Sequence, residues 1–189
     1  AGCLTNKHSI PSGNIFVRQP APLGLGHAVL CAKRAVGNDP FAVLLADDFI
    51  VSEEKGVTSD LVSAFEKNSK IQLSVMEIFG SEISNYGVVQ YNPINGKVEG
   101  LVEKPEENLA PSNSASIGRY VLTAEIFDIL ENQTVGKGGE IQLADAINIL
   151  AKENKVETVK LKGNRFDCGS VKGYLAGINF VANKLKINN

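Results

Sequence analysis

The residues best suited to chemistry in this sequence stand where apolar, strand-like runs give out. Phe41–Ala46 (FAVLLA) ends in Asp47-Asp48, and Asp167 in Phe166-Asp167-Cys168-Gly169 also follows a strand signal and precedes a helix signal. A carboxylate at such a strand end is partly desolvated and needs a cation or hydrogen-bond donors to stay ionised. Two together suit Mg²⁺, which is held by one or two carboxylates plus substrate phosphates. Asp47 with Asp167 is the best pair, although either alone suits a turn cap equally well. A second group is Val102-Glu103-Lys104-Pro105. Alternation puts Glu103 and Lys104 on opposite faces of a strand, but Pro105 stops the strand and lets both turn toward one cleft. A glutamate accepts sugar hydroxyls, and a lysine is a point charge suited to phosphate. Taken singly, this dipeptide also reads as an exposed ion pair.

The third group is the turn inside Phe16–Ala32, FVRQPAPLGLGHAVLCA, with two prolines and two glycines between a strand signal and a helix signal. Gly24-Leu25-Gly26-His27-Ala28-Val29 lacks the third glycine of the dinucleotide fingerprint, and no ribose-binding acid follows, so a dehydrogenase is excluded. Such glycines allow a planar ring to lie against the main chain, and the Gln19 amide carries donors and acceptors for a base edge. The bland alternative is a helix entry with convenient turn residues.

The elements that must position these groups alternate. Strands are expected at Ile15–Arg18, Phe41–Ala46, Ile71–Ile78, Ser116–Thr123 and Val156–Leu161. Phe41–Ala46 reads as buried on both faces of a parallel sheet. Helices are expected at Leu25–Val36, Asp60–Lys67 with Ser59 as N-cap, Ala124–Leu130, Glu140–Glu153 and Val171–Lys186. The Glu140–Glu153 helix carries a stripe of Ile141, Ala144, Ile147 and Leu150. Tyr86–Tyr91 and Lys97–Glu103 flank Asn92-Pro93-Ile94-Asn95-Gly96, a hairpin signal. Alternation of this kind predicts an α/β sandwich with a mainly parallel sheet and an inserted antiparallel hairpin. Ligands in such sheets gather beyond the carboxyl ends of the strands. Residues 1–13 read as an irregular N-terminal segment, and 14–189 as one domain.

Composition bounds the function. Of 189 residues, 43% are hydrophobic and 21% charged, ordinary for a globular protein, and the net charge of −2 argues against a basic nucleic-acid surface or polybasic membrane patch. No apolar run approaches the length of a membrane span, and no signal peptide is visible. The three cysteines, Cys3, Cys31 and Cys168, are odd in number and widely spaced, which fits a reducing cytoplasm. Two histidines are too few to suggest a zinc site.

In order along the chain, RQPAPLGLGHAVLCAK, FAVLLADD, NYGVVQY, VEGLVEKP, APSNSASIGRYVL, GEIQLADAI and FDCGS resemble the bacterial UTP–glucose-1-phosphate uridylyltransferases. The resemblance runs from about Asn14 to the C-terminal helix. Each motif is weak alone, but seven in order are very specific. The broader relatives are sugar nucleotidyltransferases, including thymidylyltransferases. The resemblance implies a Rossmann-like nucleotidyltransferase fold that makes UDP-glucose and pyrophosphate from UTP and glucose 1-phosphate. It implies that Gln19 and Gly24 contact the pyrimidine, Asp47 and Asp167 bind Mg²⁺, Gly87 lies against the hexose, Glu103 takes sugar hydroxyls and Lys104 the sugar phosphate. Lys104 and Asp47 are then the catalytic residues. It also implies a homo-oligomer, dimer or tetramer.

One departure stands out. The family begins with a strand, a Gly-x-Gly-Thr-Arg loop that cradles the triphosphate, and a Pro-x-x-Lys element, and nothing like them occurs here. The sequence therefore reads as a partial catalytic domain, expected to be of low activity alone and to dimerise or rearrange over the gap. The alternative is a non-catalytic sugar-nucleotide-binding fragment or a related thymidylyltransferase.

Overall fold

In the computed structural model, residues 14–52 and 55–186 are described; the expected irregular segment 1–13 and Cys3 lie outside them. A six-stranded sheet forms the frame. Its strands are β1 (Phe41–Leu44), β3 (Ile71–Glu77), β4 (Gly87–Tyr91), β5 (Val98–Glu103), β6 (Ser114–Leu122) and β7 (Val156–Lys160). The long β6 is central. It takes β3 on one edge, and β4 and then β1 on the other; β7 lies outside β3 and β5 outside β4. Four strands, β1, β3, β4 and β7, share one direction, as a mainly parallel α/β sheet requires. Because β5 and β6 run against them, β3–β7 is the parallel bonded pair and the other pairings are antiparallel.

A two-stranded ribbon, absent from the sequence reading, pairs β2 (Asp48–Val51) with β8 (Asn164–Asp167). Their register sets Asp48 opposite Asp167. Four-residue strands carry too little alternation to declare themselves in sequence.

The helices are α1 (Gly24–Cys31), α2 (Lys33–Val36), α3 (Val57–Asn68), α4 (Glu125–Asn132), α5 (Leu143–Lys152) and α6 (Val171–Lys184), the last packed on β8 of the ribbon. The main core joins α1, α4 and α5 to one face of the sheet, through residues such as Val29, Phe127, Ile147 and Leu150 against Leu73, Val89, Leu101 and Leu122. Each fully buried aliphatic side chain contributes about 1.5–3 kcal/mol. Phe41 stacks on Phe127 with ring centroids 5.0 Å apart. A smaller cluster of Ile78, Ile83, Val88 and Ala115 lies on the other face.

Three expectations need correction. Ile15–Arg18 forms no strand; it pairs with no strand among the described residues, is irregular, and leaves Phe16 94% exposed. Phe41–Leu44 is only half-buried, because it pairs with β6 alone among the described residues. Ser59 is not an N-cap, since α3 starts two residues earlier behind Gly56. The hairpin forms as read, its turn held by Asn92 Oδ1 accepting from the Ile94 and Asn95 amides at 2.9 and 3.1 Å.

The α5 stripe also shifts. Leu143, Ala146, Ile147, Leu150 and Ala151 are its buried residues, while Ile141 stays outside the helix. The reason is backbone bonding: the Ile141 amide donates to Leu23 O at 2.7 Å, and Ile141 O accepts from the Gly26 amide at 2.9 Å. That clasp ties the start of α1 to the loop before α5. Asn148 locks α5 to the outer edge of β5, accepting from the Leu101 amide at 2.5 Å and donating to Leu101 O at 3.0 Å. A sheet edge is thus satisfied by a side-chain amide rather than left open.

Candidate active site

Where α5 begins, the main core opens into a cleft of about 350 Å³. Its floor is β6, through Ser116, Gly118 and Tyr120; its walls are the starts of β4 and α5, the end of β5, and the Asp47 and Asp167 corners. Asp47, Gly87, Glu103, Lys104 and Asp167 all line it. Apart from the neighbours Glu103 and Lys104, these residues are far apart in sequence.

Lys104 explains how Glu103 and Lys104 reach one cleft. Its φ is +45°, in the left-handed region, so the strand alternation breaks at that residue. Such a conformation costs on the order of 1–3 kcal/mol in a non-glycine residue and persists only where the surroundings hold it. Here the Lys104 amide donates to Tyr86 O at 3.0 Å, and Pro105 ends the strand. Gly87 pairs with Glu103 in the hairpin register, and a β-carbon on it would stand 3.1 Å from Glu103 Oε2. A glycine leaves that carboxylate uncrowded.

The two predicted metal-binding carboxylates converge on Gly169. A β-carbon there would lie 3.1 Å from Asp167 Oδ1 and 3.2 Å from Asp47 Oδ2. The Cys168 amide donates to Asp47 O at 2.7 Å and the Gly169 amide to Asp167 Oδ1 at 3.0 Å, which fixes the two corners side by side. Asp48 does a different job. It is 4% exposed, accepts from the Gly118 amide at 2.5 Å, and is ion-paired to Arg165.

Sequence reasoning missed the two arginines that hold this corner. Arg119 donates to the carbonyls of Leu45 and Gly118 at 2.8 Å and of Asp48 at 2.5 Å. Arg165 donates through Nε to Asp48 Oδ1 at 2.5 Å. Burial is the largest single influence and would lower the Arg165 pKa, but the Asp48 charge and hydrogen bond, with Tyr86 and Asp167, together outweigh it and hold the guanidinium above its ordinary value. A signal was present: Arg165 stands two residues before Asp167, and positions i and i+2 of a strand share a face. Glu140 and Gln142 fall within the helix expected at Glu140–Glu153, but the clasp at Ile141 brings both to the cleft.

Gln19 and Gly24 are not among the lining residues. Gln19 Nε2 donates to Gly24 O at 3.2 Å and meets His27 Nδ1 at 3.0 Å. Gly24, with φ +90°, presses against Glu140, where a β-carbon would come within 2.8 Å of Glu140 Cβ. The turn therefore adjoins the cleft on its Glu140 side.

Five carboxylates and two cations line the cleft, and one of those cations is consumed by Asp48. A phosphate ester entering such a site needs a further cation. Among the described residues no three potential metal ligands cluster. Paired carboxylates open to solvent fit Mg²⁺, which completes its shell with water and phosphate oxygens rather than a protein cage.

Burial pushes the Tyr120 hydroxyl up to about 12 from its ordinary 10.0. Between those values the unfolded chain loses the proton and the native chain keeps it. The stability linked to this group is complete below the unfolded pKa and falls as pH rises toward the folded one, by about 1.4 kcal/mol per unit. Urea unfolding at about pH 9 and about pH 11 is expected to show a smaller alkaline loss for Tyr120→Phe than for the parent. Equal losses would contradict this.

The nucleotidyl transferase family matches residues 6–184. A UTP–glucose-1-phosphate uridylyltransferase of Pseudomonas aeruginosa is 44% identical over 169 residues, covering 87% of this chain and 61% of that protein. One of Streptococcus pyogenes is 45% identical over 167 residues, covering 85% and 55%. The crystal structure of a UDP-glucose pyrophosphorylase complexed with UDP-glucose superposes with a TM-score of 0.84 at 39% identity, over 90% of this chain and 66% of that one. The chain thus spans a little over half the length of these two uridylyltransferases. With the family matched across nearly the whole sequence and its fold reproduced around the cleft, this chain belongs to the nucleotidyl transferase family.

Proposed function

We propose that the protein transfers a uridylyl group from UTP to glucose 1-phosphate, giving UDP-glucose and pyrophosphate. The observation that carries this reading is the left-handed Lys104, which turns Glu103 and Lys104 into the cleft that also holds Asp47 and Asp167. It is supported by the activity named for the relatives and by the UDP-glucose held in the structural neighbour.

In this reading Glu103 accepts hydrogen bonds from hexose hydroxyls, with Gly87 leaving room for the ring. Lys104 holds the sugar phosphate. Gln19 and Gly24, on the turn beside Glu140, take the uracil. A phosphate oxygen of glucose 1-phosphate attacks the α-phosphorus of UTP in line; the new P–O bond forms as the α–β bridge breaks and pyrophosphate leaves with the electron pair. The nucleophile is already an anion, so no side chain need remove a proton. Catalysis then rests on positioning and charge neutralisation. Asp47 and Asp167 would hold Mg²⁺, which supplies positive charge to the phosphates. Lys104 supplies the remaining charge.

Residues 14–189 would form part of a nucleotidyltransferase catalytic domain, of low activity alone, in a homo-oligomer. A cytoplasmic location is supported by the unpaired Cys31 and Cys168; no helix among the described residues is long and apolar enough to cross a membrane. The test is to supply UTP, glucose 1-phosphate and Mg²⁺. UDP-glucose and pyrophosphate appearing in equal amounts is the expected result. UDP-glucose binding without turnover would indicate a sugar-nucleotide-binding chain, and neither binding nor turnover would refute the reading.

A further inference from the structure

We propose that Arg165 is a positioning residue that couples the carboxylate pair to the hexose-phosphate corner, an inference that rests on the uridylyl-transfer reading above. Its guanidinium grips two segments at once. Toward one side, Nε and a terminal nitrogen meet Asp48 Oδ1, in an ion pair whose side chains are 10% and 5% exposed. Toward the other, its second terminal nitrogen donates to the Tyr86 hydroxyl at 2.7 Å, and the guanidinium carbon lies 5.1 Å from the Tyr86 ring centroid.

Each gripped residue adjoins a site residue. Asp48 follows Asp47 and stands opposite Asp167 in the β2–β8 register. Tyr86 precedes Gly87, and its carbonyl holds the strained Lys104 through the Lys104 amide. Arg165 is itself two residues from Asp167. Three chain segments that meet nowhere in sequence are thus set at fixed separation by one planar cation. A lysine has the charge for Asp48 but not the fork that reaches Tyr86 as well.

Coupling predicts a readout that a purely structural role would not give. In the parent, Mg²⁺ should tighten UDP-glucose binding, because the carboxylate pair and the hexose corner act on one ligand. Tyr86→Phe keeps the aromatic ring and the Arg165–Asp48 pair and removes only the hydroxyl link. Arg165→Lys keeps the charge and removes the fork. In both, the factor by which Mg²⁺ tightens UDP-glucose is expected to shrink about 10-fold, the scale of losing an outer-shell partner of a metal site. Affinity for glucose 1-phosphate without Mg²⁺ should stay within about twofold, a scale well below that outer-shell loss. Calorimetric titration with UDP-glucose, with Mg²⁺ or with chelator, reads these factors, and Tyr86→Phe serves should Arg165→Lys fold poorly. An undiminished Mg²⁺ factor in Tyr86→Phe would overturn the proposal, as would equal weakening of both ligands. If the parent itself fails to bind UDP-glucose, the uridylyl-transfer reading falls, and the coupling with it.

Discussion

Asp47→Asn is expected to lower pyrophosphate release from UTP and glucose 1-phosphate by about 10²-fold or more, the scale of losing a major electrostatic element. The substitution preserves volume and turn geometry, and the Cys168 amide still bonds the residue 47 carbonyl. What it removes is one of the two charges that face Gly169. In a cleft already rich in carboxylates, the remaining Asp167 alone holds a divalent cation poorly. Affinity for glucose 1-phosphate without metal should change little, because Glu103 and Lys104 are untouched. Asp48 is a poor substitute, as its two oxygens are engaged by Arg165 and the Gly118 amide. Steady-state rates across a Mg²⁺ series make the check. An unchanged rate would remove the metal role from Asp47.

Lys104→Ala is expected to produce a loss of similar size, expressed as weaker use of glucose 1-phosphate, by about 10²-fold in kcat/KM. Rising salt should weaken the parent's use of that substrate, since a solvent-facing charge pair is screened, and the variant should lose most of this dependence. The left-handed backbone calls for a control. Alanine at φ +45° carries the same strain as lysine, whereas Lys104→Gly relieves it and removes the ammonium equally. Both variants should therefore fail alike if charge is the cause. If glycine restores activity, the backbone rather than the amine matters. Glu103→Gln should separate from both by weakening hexose recognition while sparing UTP. Loss of UTP affinity alone in the Glu103 and Lys104 variants would show that this corner does not hold the sugar phosphate.

Much of the frame was legible because long elements carry their period in apolar residues. Ile71–Glu77, the Gly87–Glu103 hairpin and Ser114–Leu122 emerge where alternation and turn chemistry place them. Asp47, Gly87, Glu103, Lys104 and Asp167 also come together in one cleft; residue chemistry suggested roles for four of them, and the family resemblance alone suggested one for Gly87. What stayed hidden is tertiary. Asp48 and Asp47 are adjacent and chemically identical, and only the Arg165 contact separates the buried ion-pair partner from the solvent-facing carboxylate. Glu140 sits in a run with helical period, and only the backbone clasp between Ile141 and the Leu23–Gly26 turn pulls it out toward the cleft. Ile15–Arg18 shows the converse: it has local β-propensity but pairs with no strand among the described residues, and it forms none.

In the proposed reaction the hexose corner and the carboxylate pair act on one sugar nucleotide. Equilibrium titration of the protein with UDP-glucose, in Mg²⁺ and in chelator, tests it most directly. One saturable site per chain is expected, tightened by Mg²⁺, in which Glu103→Gln weakens binding in either condition and Asp47→Asn abolishes only the Mg²⁺ effect. A folded protein that binds no UDP-glucose, or binds it equally with metal and with chelator, would refute this joint action of the two corners.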